Sequence, residues 1–186
     1  MTVPTDLDTR FRETAARSGL LGAAYDVIDS ELGPLLAAVT DHGLARISFD
    51  PEPERELDAL ARLAGRRVLR APRALDGARR ELDDYFAGRR TAFDLELDLR
   101  GLTAFTLRVL GELSTVPYGH TETYAELAAR AGNPRASRAV GMVMNRNPIP
   151  IVLPCHRIVG SSGSLVGYGG GLERKERLLR LEGAIL

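Results

Sequence analysis

The residues best suited to chemistry lie in Asn147-Pro148-Ile149-Pro150-Ile151-Val152-Leu153-Pro154-Cys155-His156-Arg157. Cys155 is the only cysteine of the chain. The thiolate is the nucleophilic form, and a nearby base or positive charge is needed to populate it near neutral pH. His156 is such a base. Three prolines stiffen the approach and forbid a helix interior. The apolar run 149–153 reads as buried chain. A cysteine emerging from rigid, buried backbone beside a histidine is placed for nucleophilic work. In an extended chain, however, Cys155 and His156 point to opposite faces. His156 then acts only across a bend or through a water, and Arg157 meets the same difficulty as an electrostatic helper. The competing reading is a buried, inert cysteine, because a free thiol packs as a small hydrophobe.

Downstream, Gly167-Tyr168-Gly169-Gly170-Gly171 lacks the strand and spacing of a dinucleotide fingerprint. It reads as a tight turn that brings backbone N–H groups near a ligand. A last helix is expected over 172–182, with Leu172, Leu178, Leu179 and Leu181 on or near its apolar side. Glu173, Arg174, Lys175, Glu176, Arg177 and Arg180 read mostly as a solvated face. Glu182 either orients His156 or is a surface charge. Lys175 is the only lysine, and the preference for arginine elsewhere is read as coding bias.

Upstream, Phe105, Val109, Leu110 and Leu113 form a helical face. Thr121 or Thr123 suits the cap of a short helix with Tyr124, Leu127 and Ala128, ending at Gly132-Asn133. Pro134 suits the first turn of a second helix through Ala136, Ala139, Val140 and Val143. The pair resembles a helix-turn-helix. Its second helix carries Arg135, Arg138 and Arg146 among small residues (Ala136, Ser137, Ala139, Gly141), which permits close approach to a nucleic acid. Small residues equally serve tight helix packing, so two ordinary packed helices remain the alternative.

The first hundred residues read differently. Residues 24–28, 35–40 and 44–49 are strand-like, and Asp41-His42-Gly43 suits a hairpin. Helical patterns follow at Leu57, Leu60, Ala61 and Leu63-Ala64, and at Leu75, Ala78, Leu82, Tyr85 and Phe86. Residues 93–99 alternate strictly, which predicts a strand with one wet face. Residues 1–18 read as a loose tail. The fold class is α+β: a small α/β domain with an antiparallel sheet over 1–100, then a mostly helical domain over 101–186 holding the helix-turn-helix and the Pro-Cys-His-Arg loop.

Composition narrows the classes. The 186 residues are 44% hydrophobic and 27% charged, as in globular domains. No apolar run reaches the ~20 residues of a membrane span, and no secretory signal is read at the N-terminus. A cytoplasmic protein is expected. One cysteine excludes an internal disulfide and a multi-cysteine zinc site. Net charge is zero, but residues 1–100 are acidic on balance and residues 101–186 basic, which suits a polyanion partner for the second half.

Pro154-Cys155-His156-Arg157, preceded by Asn147-Pro148-Ile149-Pro150 and followed by Gly167-Tyr168-Gly169-Gly170-Gly171-Leu172 and Lys175, closely resembles the O6-alkylguanine-DNA alkyltransferases. Pro117-Tyr118-Gly119, Tyr124, Gly132-Asn133-Pro134 and Arg138-Ala139-Val140-Gly141 extend the likeness over about residues 103–183. The first half resembles the family's small α/β domain only loosely. The resemblance implies direct, irreversible, single-turnover transfer of an alkyl group from guanine O6, less readily from thymine O4, to Cys155. His156 would act as base through a water, Glu182 would orient it, and Asn147 would be the hinge that braces the cysteine loop. Arg138 would fill the stack of a flipped nucleotide, and Tyr124 would crowd the DNA backbone and reach guanine N3. Ser137, Ala139, Gly141 and Ser161 join them as expected DNA contacts. Ile158, Tyr168 and Gly169 would line the base pocket with Tyr124, the Cys155 and Ile158 carbonyls meeting the exocyclic amine and the Gly169 N–H meeting O6. The family's helix enters the minor groove. The implied partner is double-stranded DNA with alkylated bases, bound by a monomer, with clustering along DNA as the alternative; no cofactor and no metal are expected. A lesion-binding protein without chemistry and a sequence-reading regulator are the rival functions. Cys155 counts against the former, and strong preference for one undamaged site would mark the latter.

Overall fold

The computed structural model describes residues 5–49 and 53–186. The chain forms two compact units, Met1–Ala87 with Asp94–Arg100, and Gly88–Phe93 with Gly101–Leu186.

In the first unit, β1 (Ala23–Ile28), β2 (Leu35–Thr40) and β3 (Gly43–Ser48) run antiparallel, and β4 (Val68–Arg70) lies parallel to β1, giving the order β3-β2-β1-β4. The parallel edge strand is an addition to the antiparallel sheet expected from the sequence. Leu35, Leu36, Ala37 and Ala38 are all fully buried. An unbroken apolar run suits a strand covered on both faces. β2 turns into β3 through Asp41-His42, and Gly43 takes φ 117° where a Cβ would run into the Glu96 backbone carbonyl. α2 (Pro53–Ala64) and α3 (Asp76–Phe86) complete the unit, with Ala78, Leu82, Tyr85 and Phe86 of α3 buried.

Two expectations are corrected here. The supposed loose tail carries α1 (Thr5–Arg17), while residues 1–4 lie outside the described residues. Ala15 and Glu13 are buried, and the Glu13 carboxylate accepts the Arg73 N–H at 3.3 Å. That partner is supplied by the fold, so the local pattern gave no sign of it. The segment 93–99 is not a strand. It is extended chain that meets β3 at one point, Leu44 against Leu97. Nor is its polar face wet throughout: the Asp98 carboxylate is buried, accepting from Thr40 Oγ1 at 2.6 Å and from Arg100 Nε and Nη2 at 2.8 and 2.6 Å. Those bonds hold its pKa well below the usual carboxylate range, with Arg100 contributing most.

In the second unit, α4 (Ala104–Ser114) is capped by the Thr103 hydroxyl. A two-residue strand, β5 (Glu122–Thr123), leads into α5 (Tyr124–Arg130). Thr123 is the cap of α5, and Glu126 closes a reciprocal capping box with it. α6 (Ser137–Asn145) follows a turn in which Gly132 takes φ 81°. Pro134 sits in that turn and not in the helix. β6 (Ile158–Val159) and α7 (Leu172–Leu181) end the unit. Leu110, Leu113, Leu127, Ala128, Val140, Leu178 and Leu179 form the apolar interior. Among the described residues no helix is long and apolar enough to cross a membrane.

Candidate active site

The loop between α6 and β6 is built around Asn147. Its Oδ1 accepts the Ile149 N–H at 3.0 Å and its Nδ2 donates to the Leu153 carbonyl at 2.8 Å, and the amide pulls the Cys155 thiol pKa down against burial. One amide thus ties the two ends of the loop together just before the thiol. Between them Ile151 takes φ 76°, a left-handed conformation that a β-branched residue rarely adopts. Buried Ile149, Ile151 and Leu153 hold it there. Such strain persists only where packing over-determines it.

Cys155–Arg157 then wind into one 3-10 turn, with the Arg157 N–H bonded to the Pro154 carbonyl at 2.9 Å. The chain is therefore bent where an extended reading put Cys155 and His156 on opposite faces. β6 leaves this turn and pairs parallel with β5, Ile158 against Glu122 and Val159 against Thr123. The pairing joins the cysteine turn to the start of α5, where Tyr124 stands.

Glu182, at the end of α7, is fully buried as a side chain. Its Oε1 lies 2.9 Å from His156 Nε2 and accepts from Arg157 Nη2 at 2.9 Å. Its Oε2 accepts from Arg157 Nε at 2.9 Å and from the Gly119 N–H at 3.3 Å. Four donors converge on the carboxylate, about the number its lone pairs take. Arg157 Nη1 donates onward to the Val116 carbonyl at 2.6 Å, and the guanidinium stands 5.8 Å from the Tyr118 ring centroid. The Tyr118 hydroxyl donates to the Leu181 carbonyl at 3.0 Å. With Glu182 as acceptor, the imidazole proton sits on Nε2, leaving the lone pair on Nδ1. Among the described residues Nδ1 has no protein partner.

Burial sets the electrostatics. Cys155 is 3% exposed, and desolvation pushes its thiol up to about 11 against the pull of Asn147 and Lys175. Desolvation also holds His156 below the ordinary histidine range, against the attraction of Glu182. The imidazole is thus neutral, as a base must be. Lys175, expected on a solvated face, is 0% exposed. Its amine donates to the Ile158 carbonyl at 2.5 Å and the Val166 carbonyl at 3.1 Å.

Asn147 therefore braces the loop that carries Cys155, while His156 and Glu182 belong to a second cluster joined to it through the chain of the cysteine turn, with Ile158 directly after that turn. Tyr124 is half-buried, its hydroxyl 3.0 Å from the Val166 carbonyl and 3.1 Å from that of Gly167. Tyr168 is half-buried, and Gly169 is exposed beside the end of α6, where an added Cβ would lie 3.1 Å from the Asn145 carbonyl. Arg138 is exposed on α6, and Ser137, Ala139 and Gly141 are partly so. Ser161 is exposed in the turn that the Gly160 N–H closes onto the Ser164 carbonyl at 2.9 Å. Sequence reasoning weighed Arg157 only as a helper of the thiol and placed Lys175 on a solvated face, and so missed the partners that bury both. For Lys175 a signal existed: it is the only lysine in an arginine-rich chain. Among the described residues no group of three or more His, Cys, Asp and Glu side chains is arranged to hold a metal.

A helix-turn-helix pair strapped by a short parallel ladder to a loop bearing a single buried thiol, with a neutral imidazole at its side, describes a cysteine acceptor that works against a nucleic acid. The comparisons agree. Residues 104–184 match the family described as 6-O-methylguanine DNA methyltransferase, DNA binding domain, and residues 23–99 match its ribonuclease-like domain. The methylated-DNA–protein-cysteine methyltransferase of Mycolicibacterium paratuberculosis is 46% identical over 158 residues, 85% of this chain and 91% of that protein. That of Methanosarcina acetivorans is 40% identical over 167 residues, 86% and 98% of the two chains. Among solved structures, Mycobacterium tuberculosis OGT in complex with DNA superposes with a TM-score of 0.76 at 44% identity, covering 87% of this chain and 93% of the other. The chain belongs to the methylated-DNA–protein-cysteine methyltransferase family.

Proposed function

We propose that this protein repairs DNA by moving an alkyl group from guanine O6, and less readily from thymine O4, onto Cys155. The observation that carries the reading is the arrangement around the sulfur: one thiol at the end of a loop braced by Asn147, followed by a neutral imidazole whose Nε2 is tied to a buried carboxylate. His156 Nδ1 takes the thiol proton through one water, and Glu182 stabilises the imidazolium that forms. The sulfur bonds to the alkyl carbon as the O6–carbon bond breaks, and the electron pair leaves with the guanine. The Tyr124 hydroxyl at N3 and the Gly169 N–H at O6 disperse that charge. The product is a thioether, a poor leaving group, so each molecule acts once.

The target base leaves the stack first, at about a few kcal/mol. α6 enters the minor groove, its small residues Ser137, Ala139 and Gly141 admitting the backbone, with Ser161 beside it. Arg138 fills the place of the everted nucleotide. Ile158 and Tyr168 line the pocket with Tyr124 and Gly169. Residues 101–186 are the DNA-binding and alkyl-transfer domain, residues 1–100 the α/β domain, and the protein works in the cytoplasm as a monomer. Phosphate contacts make the affinity fall steeply with salt.

The test is mass spectrometry after incubation with a duplex carrying one O6-methylguanine. The peptide holding Cys155 gains one methyl in place of a proton, stoichiometrically, and Cys155→Ser abolishes the transfer. Transfer that persists in Cys155→Ser overturns the assignment.

A further inference from the structure

Of the 25 basic residues, Lys175 alone is lysine. A chain that uses arginine everywhere else keeps one amine, and keeps it at 0% exposure. Its Nζ joins three segments. It donates to the Ile158 carbonyl, on the strand leaving the cysteine turn, and to the Val166 carbonyl, in the loop that leads to Tyr168 and Gly169. It also lies 5.9 Å from the centroid of the Tyr124 ring, within cation–π range. An ammonium is a compact point donor with three protons, whereas a guanidinium is a broad planar fork. Two carbonyls and a ring face converging on one point call for the former.

Val166 is also contacted by the Tyr124 hydroxyl, which has one proton to give and two carbonyls in reach. If that proton turns to a bound base, the carbonyl keeps a donor only through Lys175, and the loop stays where it is. The Ile158 carbonyl, on a residue that is 0% exposed, is held in place by the same amine.

We infer that Lys175 is a positioning residue for alkyl transfer: its amine fixes the Ile158 and Val166 carbonyls that bound the base pocket and presents a positive charge to the Cys155 sulfur as the thiolate forms. The inference rests on the reading of Cys155 as acceptor and of Ile158 as a pocket carbonyl. The titratable groups that act with the amine are Cys155 and His156 from the cysteine turn and Tyr124 from α5. Burial draws Lys175 down to about 8, and the Cys155 sulfur, when charged, draws it back up. Below that value the ammonium offsets the forming thiolate. Above it the amine is neutral, the offset is lost, and Cys155 becomes harder to ionise.

A single lysine gives a single signal. In the full chain labelled with carbon-13 at lysine Cε, the resonance should titrate well below the ordinary lysine value. The midpoint should stay near that low value once a methylated duplex has converted Cys155 to a thioether, because the buried thiol it replaces is itself uncharged at that pH. In single-turnover assays, Lys175→Met should transfer at least about tenfold more slowly at neutral pH, the effect of one pKa unit at the thiol, and Lys175→Arg, which keeps the charge but not the compact donor, should also be slower than the wild type, with DNA affinity unchanged. The logarithm of the wild-type rate should bend near pH 8, and that of Lys175→Met should not. A lysine that titrates at its ordinary value overturns the inference, and so does a Lys175→Met protein with wild-type rate and pH profile. If the substituted chains do not fold, the titration of the unsubstituted protein decides alone. A wild-type protein that gains no methyl on Cys155 overturns the reading beneath the inference, a distinct result.

Discussion

His156 Nε2 and Glu182 Oε1 face each other at 2.9 Å, with both side chains fully buried. The same carboxylate also receives the Arg157 guanidinium through two bonds of 2.9 Å. Glu182 therefore orients the base and neutralises a buried cation at once. Glu182→Ala leaves the buried Arg157 cation without its counter-charge, with only the Val116 carbonyl and the Tyr118 ring beside it, and breaking a buried pair in this way costs about 3–5 kcal/mol. Urea denaturation should show that loss. A midpoint equal to the wild type would mean that the cluster contributes nothing to folding.

The depressed His156 pKa has a sign that can be checked. Above the ordinary value of 6.5 the imidazole is neutral in both folded and unfolded chains, so the stability is fully present. As pH falls below it, the unfolded chain takes up a proton that the folded chain resists, so stability declines until the folded value is reached. Denaturant midpoints should drop on acidification from neutral pH, and less so in a His156→Gln background. Equal slopes in the two proteins would contradict the assignment. Transfer should show no loss centred at 6.5, because the folded imidazole remains a base there.

Asn147 carries two bonds in one amide, to Ile149 and Leu153, and lowers the pKa of the Cys155 thiol beside them. Asn147→Ala leaves a partly buried N–H and C=O unmatched, at about 1–3 kcal/mol each. It also frees the strained Ile151 turn and removes a donor from the thiolate. Both the thermal midpoint and the transfer rate should fall. Asn147→Asp should be slower still, because a carboxylate beside the sulfur opposes its ionisation. An Asp variant faster than Ala would reverse that reasoning.

Arg138 is exposed on α6, and exposed substitutions away from caps and networks change stability by less than about 0.5 kcal/mol. Arg138→Ala should melt like the wild type and capture free O6-methylguanine base equally well. Repair of a lesion paired within a duplex should fall. Equal losses on both substrates would argue against a role in the stack.

Short-range features were open to reading. Pro148, Pro150 and Pro154 exclude a helix, Thr123 and Glu126 make a cap of local residues, and glycines mark the turns at 43 and 132. The unbroken apolar run of β2 and the periodicity of α3 were equally plain, since burial patterns follow from side-chain type alone. Residues 93–99 show the limit. Perfect alternation allowed a strand but did not supply a partner, and one meeting with Leu44 was all the fold provided.

The amino-acid order alone determined that a single thiol would leave a rigid apolar loop, that a histidine would stand beside it, and that two short helices would precede it. Each of those depends on neighbours a few residues apart. The tertiary structure alone decided that Glu182 is a buried partner and not a surface charge, that Arg157 belongs to the same cluster, that Lys175 points inward, and that α1 is held by its Glu13 against Arg73. The reason is common to all four. A charged side chain is soluble by default, and only chain brought from far along the sequence can supply the hydrogen bonds that let it be buried.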